Sequence, residues 1–225
     1  ACSIHFYTKK NIQTKISTNS WNYWVSQTSA SVGINDEKID LNISLDNSKH
    51  DGFHKAATGG VKDKGKQTKS SIGGTYTTDG GTEISLDIYR TNSDIRYPNY
   101  LSDAQFEADP TGSGSGSRYT YRDAESSTTN LKVKRNWGEN FEFTTNRSAI
   151  DKESRNFYSY SGATVDNYKY DYKSNDYLLT YTNGNLKVDS GVNIFDGKRT
   201  VESTTVSSRN TTSKENLGVF SQLQY

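Results

Sequence analysis

The sequence predicts an all-β protein: an antiparallel, up-and-down meander of about ten strands, part of or closing into a transmembrane-type β-barrel. Three observations carry this. Aliphatic and polar residues take turns in segment after segment. Tight Gly, Asn and Asp turns join neighbouring segments. Short connections also alternate with long polar ones down the chain, as when a barrel has tight turns on one rim and long loops on the other.

The elements follow in order. Ser3–Thr8 pairs elsewhere, and the meander begins with Ile12–Thr18 and Tyr23–Gly33. Lys38–Asn47 holds the clearest alternation, with Ile39, Leu41, Ile43 and Leu45 separated by Asp40, Asn42 and Ser44. Period two places these aliphatics on one face and the polar residues on the other. Thr68–Thr77, Thr82–Thr91, Thr128–Arg135, Asn140–Ser148, Ser174–Thr182, Asn185–Phe195 and Lys214–Tyr225 complete the set. The tight turns are Ile34–Glu37, Thr78–Gly81, Asn136–Glu139 and Asn183-Gly184, the last being the strongest short-range hairpin signal. Long polar connections are expected at Lys49 to Lys66, Asn92 to Glu125, Asp151 to Lys173 and Lys198 to Ser213. Within the second, Gly112 to Ser117 is a low-complexity loop tip. No stretch of comparable length has helical periodicity.

Composition supports sheets that are apolar on one face only. Hydrophobic residues make up 31% of the chain and mean hydropathy is −0.90, values that on their own suggest a weak core. Yet 16 Tyr, 8 Phe and 3 Trp against 2 Pro and a net charge of +1 give no reason for the chain to stay open. A single cysteine, Cys2, excludes an internal disulfide framework and a multi-cysteine zinc site. Near-neutral charge gives no electrostatic case for a nucleic-acid partner. No apolar run is long enough for a transmembrane helix, a criterion that does not touch barrel strands. Opening at Ala1 without a leader, the sequence reads as a mature, processed or excised piece. Residues 1–225 are expected to form one partial barrel domain.

Catalysis is not expected. The Gly/Ser tract has the letters of a nucleophile elbow but no strand-turn-helix context, and carboxylates are scattered over alternating strands with no pair singled out. Cys2 has no His partner in view. His50 and His54 are four apart, zinc-like on a helix only, and they lie in a loop. No metal ligand set and no cofactor are expected.

Three segments resemble TonB-dependent outer-membrane receptors of the siderophore and vitamin B12 type. Ser3-Ile4-His5-Phe6-Tyr7-Thr8-Lys9-Lys10 is similar to the segment that leaves the plug and begins the barrel. Tyr97 to Pro110, with Leu101, Ala104-Gln105 and Ala108-Asp109-Pro110, resembles an extracellular-loop motif of such receptors. Asn216-Leu217-Gly218-Val219-Phe220-Ser221-Gln222-Leu223-Gln224-Tyr225 is similar to a mid-barrel strand. Cys2 and Asn99 depart from the small residue and the Gly usual at those places. The resemblance implies the N-terminal part of a barrel in the outer membrane of a Gram-negative-type bacterium, in contact with outer-membrane lipid. It also implies a metal-chelate ligand (siderophore, haem or cobalamin class) and energy from TonB reaching the barrel only through a plug absent from this chain. A loop calcium site drawing on Asp51, Asp63, Asp103 and Asp109 is a further implication, although their spacing is not that of a calcium loop.

On the barrel reading Ile39, Leu41, Ile43 and Leu45 face lipid. Lys38, Asp40, Asn42, Asp46, Glu83, Asp87, Lys132, Lys134, Glu142, Lys187 and Asp189 face the lumen. The long loops carry Phe106, Arg122, Phe157, Tyr168, Tyr170 and Tyr172, and the candidate ligand-binding residues Arg96, Tyr97, Tyr100, Arg118, Tyr119, Tyr121, Tyr158 and Tyr160. Tyr and Arg give large amphipathic contact area, and an Arg fork suits an anionic chelate; Tyr is also common in barrel loops and interfacial girdles. The alternative function is a soluble or surface β-sheet module that self-assembles, or binds a partner, through exposed strand edges.

Overall fold

A computed structural model describes residues 14–21, 25–55, 62–98, 101–112, 120–158, 164–204 and 208–225. Ten strands run in chain order: β1 Lys15–Trp21, β2 Val25–Asn35, β3 Ile39–His50, β4 Lys64–Thr77, β5 Glu83–Tyr97, β6 Thr120–Trp137, β7 Phe141–Tyr158, β8 Thr164–Asn183, β9 Leu186–Ser203 and β10 Ser208–Gln224. One short helix, α1 (Asp103–Ala108), interrupts the β5–β6 connection. Every strand pairs antiparallel with its neighbours in sequence, giving one ten-stranded sheet in the order β1 to β10. Because β1 and β10 do not pair with each other, the sheet stays open; closure into a smaller barrel does not occur.

Short turns at 36–38, 78–82, 138–140 and 184–185 make one rim of the sheet. The sharpest, Asn183-Gly184, needs a positive φ that only glycine takes without strain, and Gly184 sits at φ 55°. At the opposite rim the 51–63 and 98–119 connections are long, as expected. The other two expected long loops are instead mostly strand. Residues 151–158 and 164–173 continue β7 and β8, and 198–203 and 208–213 continue β9 and β10. Their outer-face residues are charged, so the aliphatic alternation that marks the lower halves is missing there.

Register settles the two faces. Ile39, Leu41, Ile43 and Leu45 share a face with Ile34, Val32 and Ala30 of β2 and with Tyr76, Gly74, Ile72 and Ser70 of β4. The same face continues through Ile84 and Leu86, then Val133 and Leu131, then Tyr177 and Leu179, to Val219 and Leu223. Most of these side chains are exposed: Ile43 at 41%, Leu86 at 45% and Val219 at 75%. No second layer covers them among the described residues. Near the short-turn rim the band ends in aromatics, with Trp137 stacked on Phe143 at 5.8 Å and Phe141 against Tyr181 at 4.9 Å.

The opposite face is polar and more covered. Asp40, Asn42, Asp46, Glu83, Asp87, Lys132, Lys134, Glu142, Lys187 and Asp189 all fall on it by register. Cross-strand hydrogen bonds knit it together: Ser17 to Ser29 at 2.6 Å, Ser44 to Ser71 at 2.7 Å, Thr180 to Asp189 at 2.6 Å, and the Lys134–Glu142 ion pair at 2.9 Å. Phe157 is the one buried hydrophobic side chain among the described residues. A single layer of this size has no core of its own, so its apolar face must be covered by something else.

Hydrogen-bonded rows and the apolar band are not parallel. The row through Ile43 runs Ile72, Ile88, Thr129, Ala149, Lys173, Asp196, Glu215 and so leaves the band before it reaches β10. On this face of β10 the apolar residues are Leu217, Val219 and Leu223, closer to the short-turn rim. Such a drift is the stagger that strands tilted against a barrel axis require.

Candidate ligand-binding wall

The long strands carry a concentration of aromatic and cationic side chains on the inner face, toward the long-loop rim. In β8, Tyr168, Tyr170 and Tyr172 occupy alternate positions and therefore point the same way. Their ring centroids lie 6.4 Å and 5.8 Å apart, the first pair nearly parallel at 9°. Phe195 of β9 extends the series, 5.9 Å from Tyr172. Gly197 makes this possible: a Cβ there would lie 2.8 Å from Phe195 ring atoms and 2.9 Å from Tyr172.

Two cations flank the rings. Tyr170 pairs with Lys152 of β7 on one side and Arg199 of β9 on the other. The Arg199 guanidinium lies 5.6 Å from the Tyr168 centroid and 5.9 Å from that of Tyr170, and Lys152 Nζ lies 5.7 Å from Tyr170. These are cation–π distances. Above the rings, Arg122, Asn156 and Asp166 form one transverse row on the same face. Arg122 Nε, Asn156 Oδ1 and Asp166 Oδ1 are buried and have no hydrogen-bond partner among the described residues. Asp166 uses its other oxygen, Oδ2, to accept a long hydrogen bond from the Tyr168 hydroxyl at 3.4 Å. Buried polar groups left over in this way call for a polar ligand or solvent partner.

The residues predicted from sequence are divided by the sheet. Arg96 and Tyr121 are register partners on the outer face, where Tyr121 stacks on Phe157 at 5.1 Å. Tyr97 is the last residue of β5 and alternation puts it on the inner face. None of the three is in a loop. Tyr158 ends β7 and is described by its backbone alone. Tyr100, Arg118, Tyr119 and Tyr160 lie outside the described residues, as do Ser3–Thr8 and most of the Gly/Ser tract. Lys152, Asn156, Asp166, Phe195 and Arg199 were not singled out. The Tyr168/Tyr170/Tyr172 period of two was the available signal; which β7 and β9 residues flank it depends on register.

Both long loops are held by carboxylates at their bases. Asp63 accepts hydrogen bonds from the backbone N–H groups of Phe53 and His54, each at 3.0 Å, and pairs with His54 Nδ1 at 3.0 Å. Burial pushes the Asp63 carboxyl up, but these bonds outweigh it and hold it below the usual range. Gly52, at φ 90°, lets the backbone pass against Asp63. In the second loop α1 starts with a capping box, Ser102 accepting from Gln105 N and Gln105 Oε1 accepting from Ser102 N. Lys55 joins the loops: its N–H donates to Thr111 O and its Nζ to Asp109 Oδ2, each at 2.6 Å. The lysine, with the Thr111 hydroxyl and N–H, lowers the Asp109 carboxyl to about 2. Asp63 and Asp109 thus already have partners, and no cluster of three metal-ligating side chains occurs among the described residues. These residues do not fit the calcium site that the resemblance implies.

Comparison with known proteins gives a fold relationship. No protein-family model matches the chain, and no curated protein matches by sequence. Among solved structures, the crystal structure of the ferric yersiniabactin uptake receptor FyuA from Yersinia pestis is similar, with a TM-score of 0.54 at 10% identity. The similarity covers 88% of this chain and 34% of that one, so the chain spans about a third of the receptor's length. The open ten-stranded meander matches a stretch of β-barrel wall.

Proposed function

We propose that this chain is a segment of the wall of an outer-membrane receptor barrel of the TonB-dependent kind, contributing to the binding of a metal chelate at its long-loop end. One observation carries the reading: an exposed apolar band crosses the outer face of the strands while the inner face is polar and hydrogen-bonded. From Ile39 to Leu45 the band measures about 20 Å along the strand, which at the tilt of barrel strands rises about 15 Å, the greater part of the roughly 25 Å apolar height of outer-membrane barrels. The 20 residues of β8 extend roughly 65 Å, far more than lipid can cover. Its outer face beyond the band carries Lys169, Asp171 and Lys173, as suits a wall standing above the membrane. Chelate binding draws support from the inner Tyr/Arg wall. Uptake driven through a plug belongs to the whole receptor; no enzymatic step is assigned to this segment.

Detergent dependence tests the membrane assignment. The chain should need detergent or lipid to stay dispersed, and should run faster on a denaturing gel unheated than boiled. A monodisperse species in plain buffer would instead favour a soluble sheet module, the reading that the free edges of β1 and β10 support.

A further inference from the structure

Resting on that receptor reading, we propose that the β7–β9 inner wall selects an anionic chelate whose own ligating groups are aromatic, of the catecholate or phenolate class, over aliphatic hydroxamate chelates. The four rings of Tyr168, Tyr170, Tyr172 and Phe195 form a continuous aromatic surface, suited to flat aryl groups, which gain from stacking in addition to area burial. Charge supplies the sign. Neither Lys152 nor Arg199 forms an ion pair among the described residues, so both positive charges, one on each side of Tyr170, are uncompensated. Arg122 and Lys214 lie on the same face in nearby rows, so four cations face two carboxylates there: Asp166 above the rings and Asp176 below Phe195, the latter accepting a hydrogen bond from Asn193. A ferric tris-catecholate, negatively charged and edged with rings, matches both properties of the surface. An aliphatic hydroxamate complex, neutral or cationic, matches neither.

Calorimetric titration of the full 225-residue chain in detergent tests this, with the ferric complex of 2,3-dihydroxybenzoate and ferrioxamine B as probes. The catecholate should bind at least about tenfold more tightly, the difference expected from stacking and cation–π contacts together. Arg199→Gln and Tyr170→Leu should each weaken the catecholate about five- to tenfold and leave the hydroxamate unmoved. Lys169→Gln, on the outer face of the same strand, should change nothing. Arg199 is exposed, so its variant retains the fold and keeps the test decisive if Tyr170→Leu does not. Equal affinity for the two probes, or a catecholate affinity untouched by Arg199→Gln, overturns the selectivity while the receptor reading stands. A folded chain that binds neither probe overturns both.

Discussion

Asp109 shows how one side chain can couple two loops that are distant in sequence. Its carboxylate accepts from Lys55 of the first long loop and from Thr111 of its own. With its folded value near 2 against the usual 3.8, the sign follows: the contribution is complete above about pH 4 and is lost as pH falls through 2. An NMR titration of Asp109 should therefore give a midpoint well below that of an unpaired aspartate, and Lys55→Gln should raise it part of the way, the Thr111 hydroxyl and N–H still holding it below the ordinary range. At Gly197 the constraint is steric. Gly197→Val would push a side chain into Phe195 and Tyr172, costing about 1–3 kcal/mol and altering the near-UV tyrosine signal in circular dichroism. Unchanged stability and spectrum would mean that the rings are not packed as described.

At the scale of elements, each strand divides into a lower half that sequence reveals and an upper half that it conceals. Ile39 to Leu45 alternate with polar residues because the sheet separates two environments there, and the lower strands could be read directly from that. Above the band the outer face is polar or charged and lacks aliphatics, so 151–158, 164–173, 198–203 and 208–213 read as loops although they are strands. The tyrosines of β8 had the strand period but not the aliphatic character usually sought. Helix α1 was legible in principle from Ser102-x-x-Gln105, a capping box, yet it is too short to have a periodic face. The wall residues Lys152 and Arg199 meet Tyr170 only through register, and neither strand's sequence specifies that pairing. The two faces make a paired prediction. In lipid vesicles, Ile43→Arg should cost about 2–4 kcal/mol of unfolding free energy if it lies near the bilayer midplane. Ser44→Arg, one residue along and facing inward, loses the hydrogen bond to Ser71 and should cost roughly 0.5–1.5 kcal/mol, less than the outward substitution. Equal costs in denaturant titrations would remove the case for a lipid-facing band.

Among the described residues the chain is an open sheet with two unpaired edges, β1 and β10. Backbone donors and acceptors along such edges template further pairing, and the long β10, 17 residues, offers the larger edge. In detergent the isolated chain should therefore associate as concentration rises, detectable by sedimentation equilibrium. A mass that stays monomeric across the accessible range would mean that the edges are protected in a way the described residues do not show.

The oblique course of the greasy stripe limits what can join that edge. Since Glu215 is level with Ile43 along the rows while Val219 and Leu223 sit lower, an incoming strand cannot dock at an arbitrary height. Its own oily residues must meet Leu217 to Leu223, which fixes its vertical offset and hence its backbone pairing. A chain fragment supplied in trans could be screened by that offset alone: a two-residue slide would keep the same side chains outward yet move them out of the stripe.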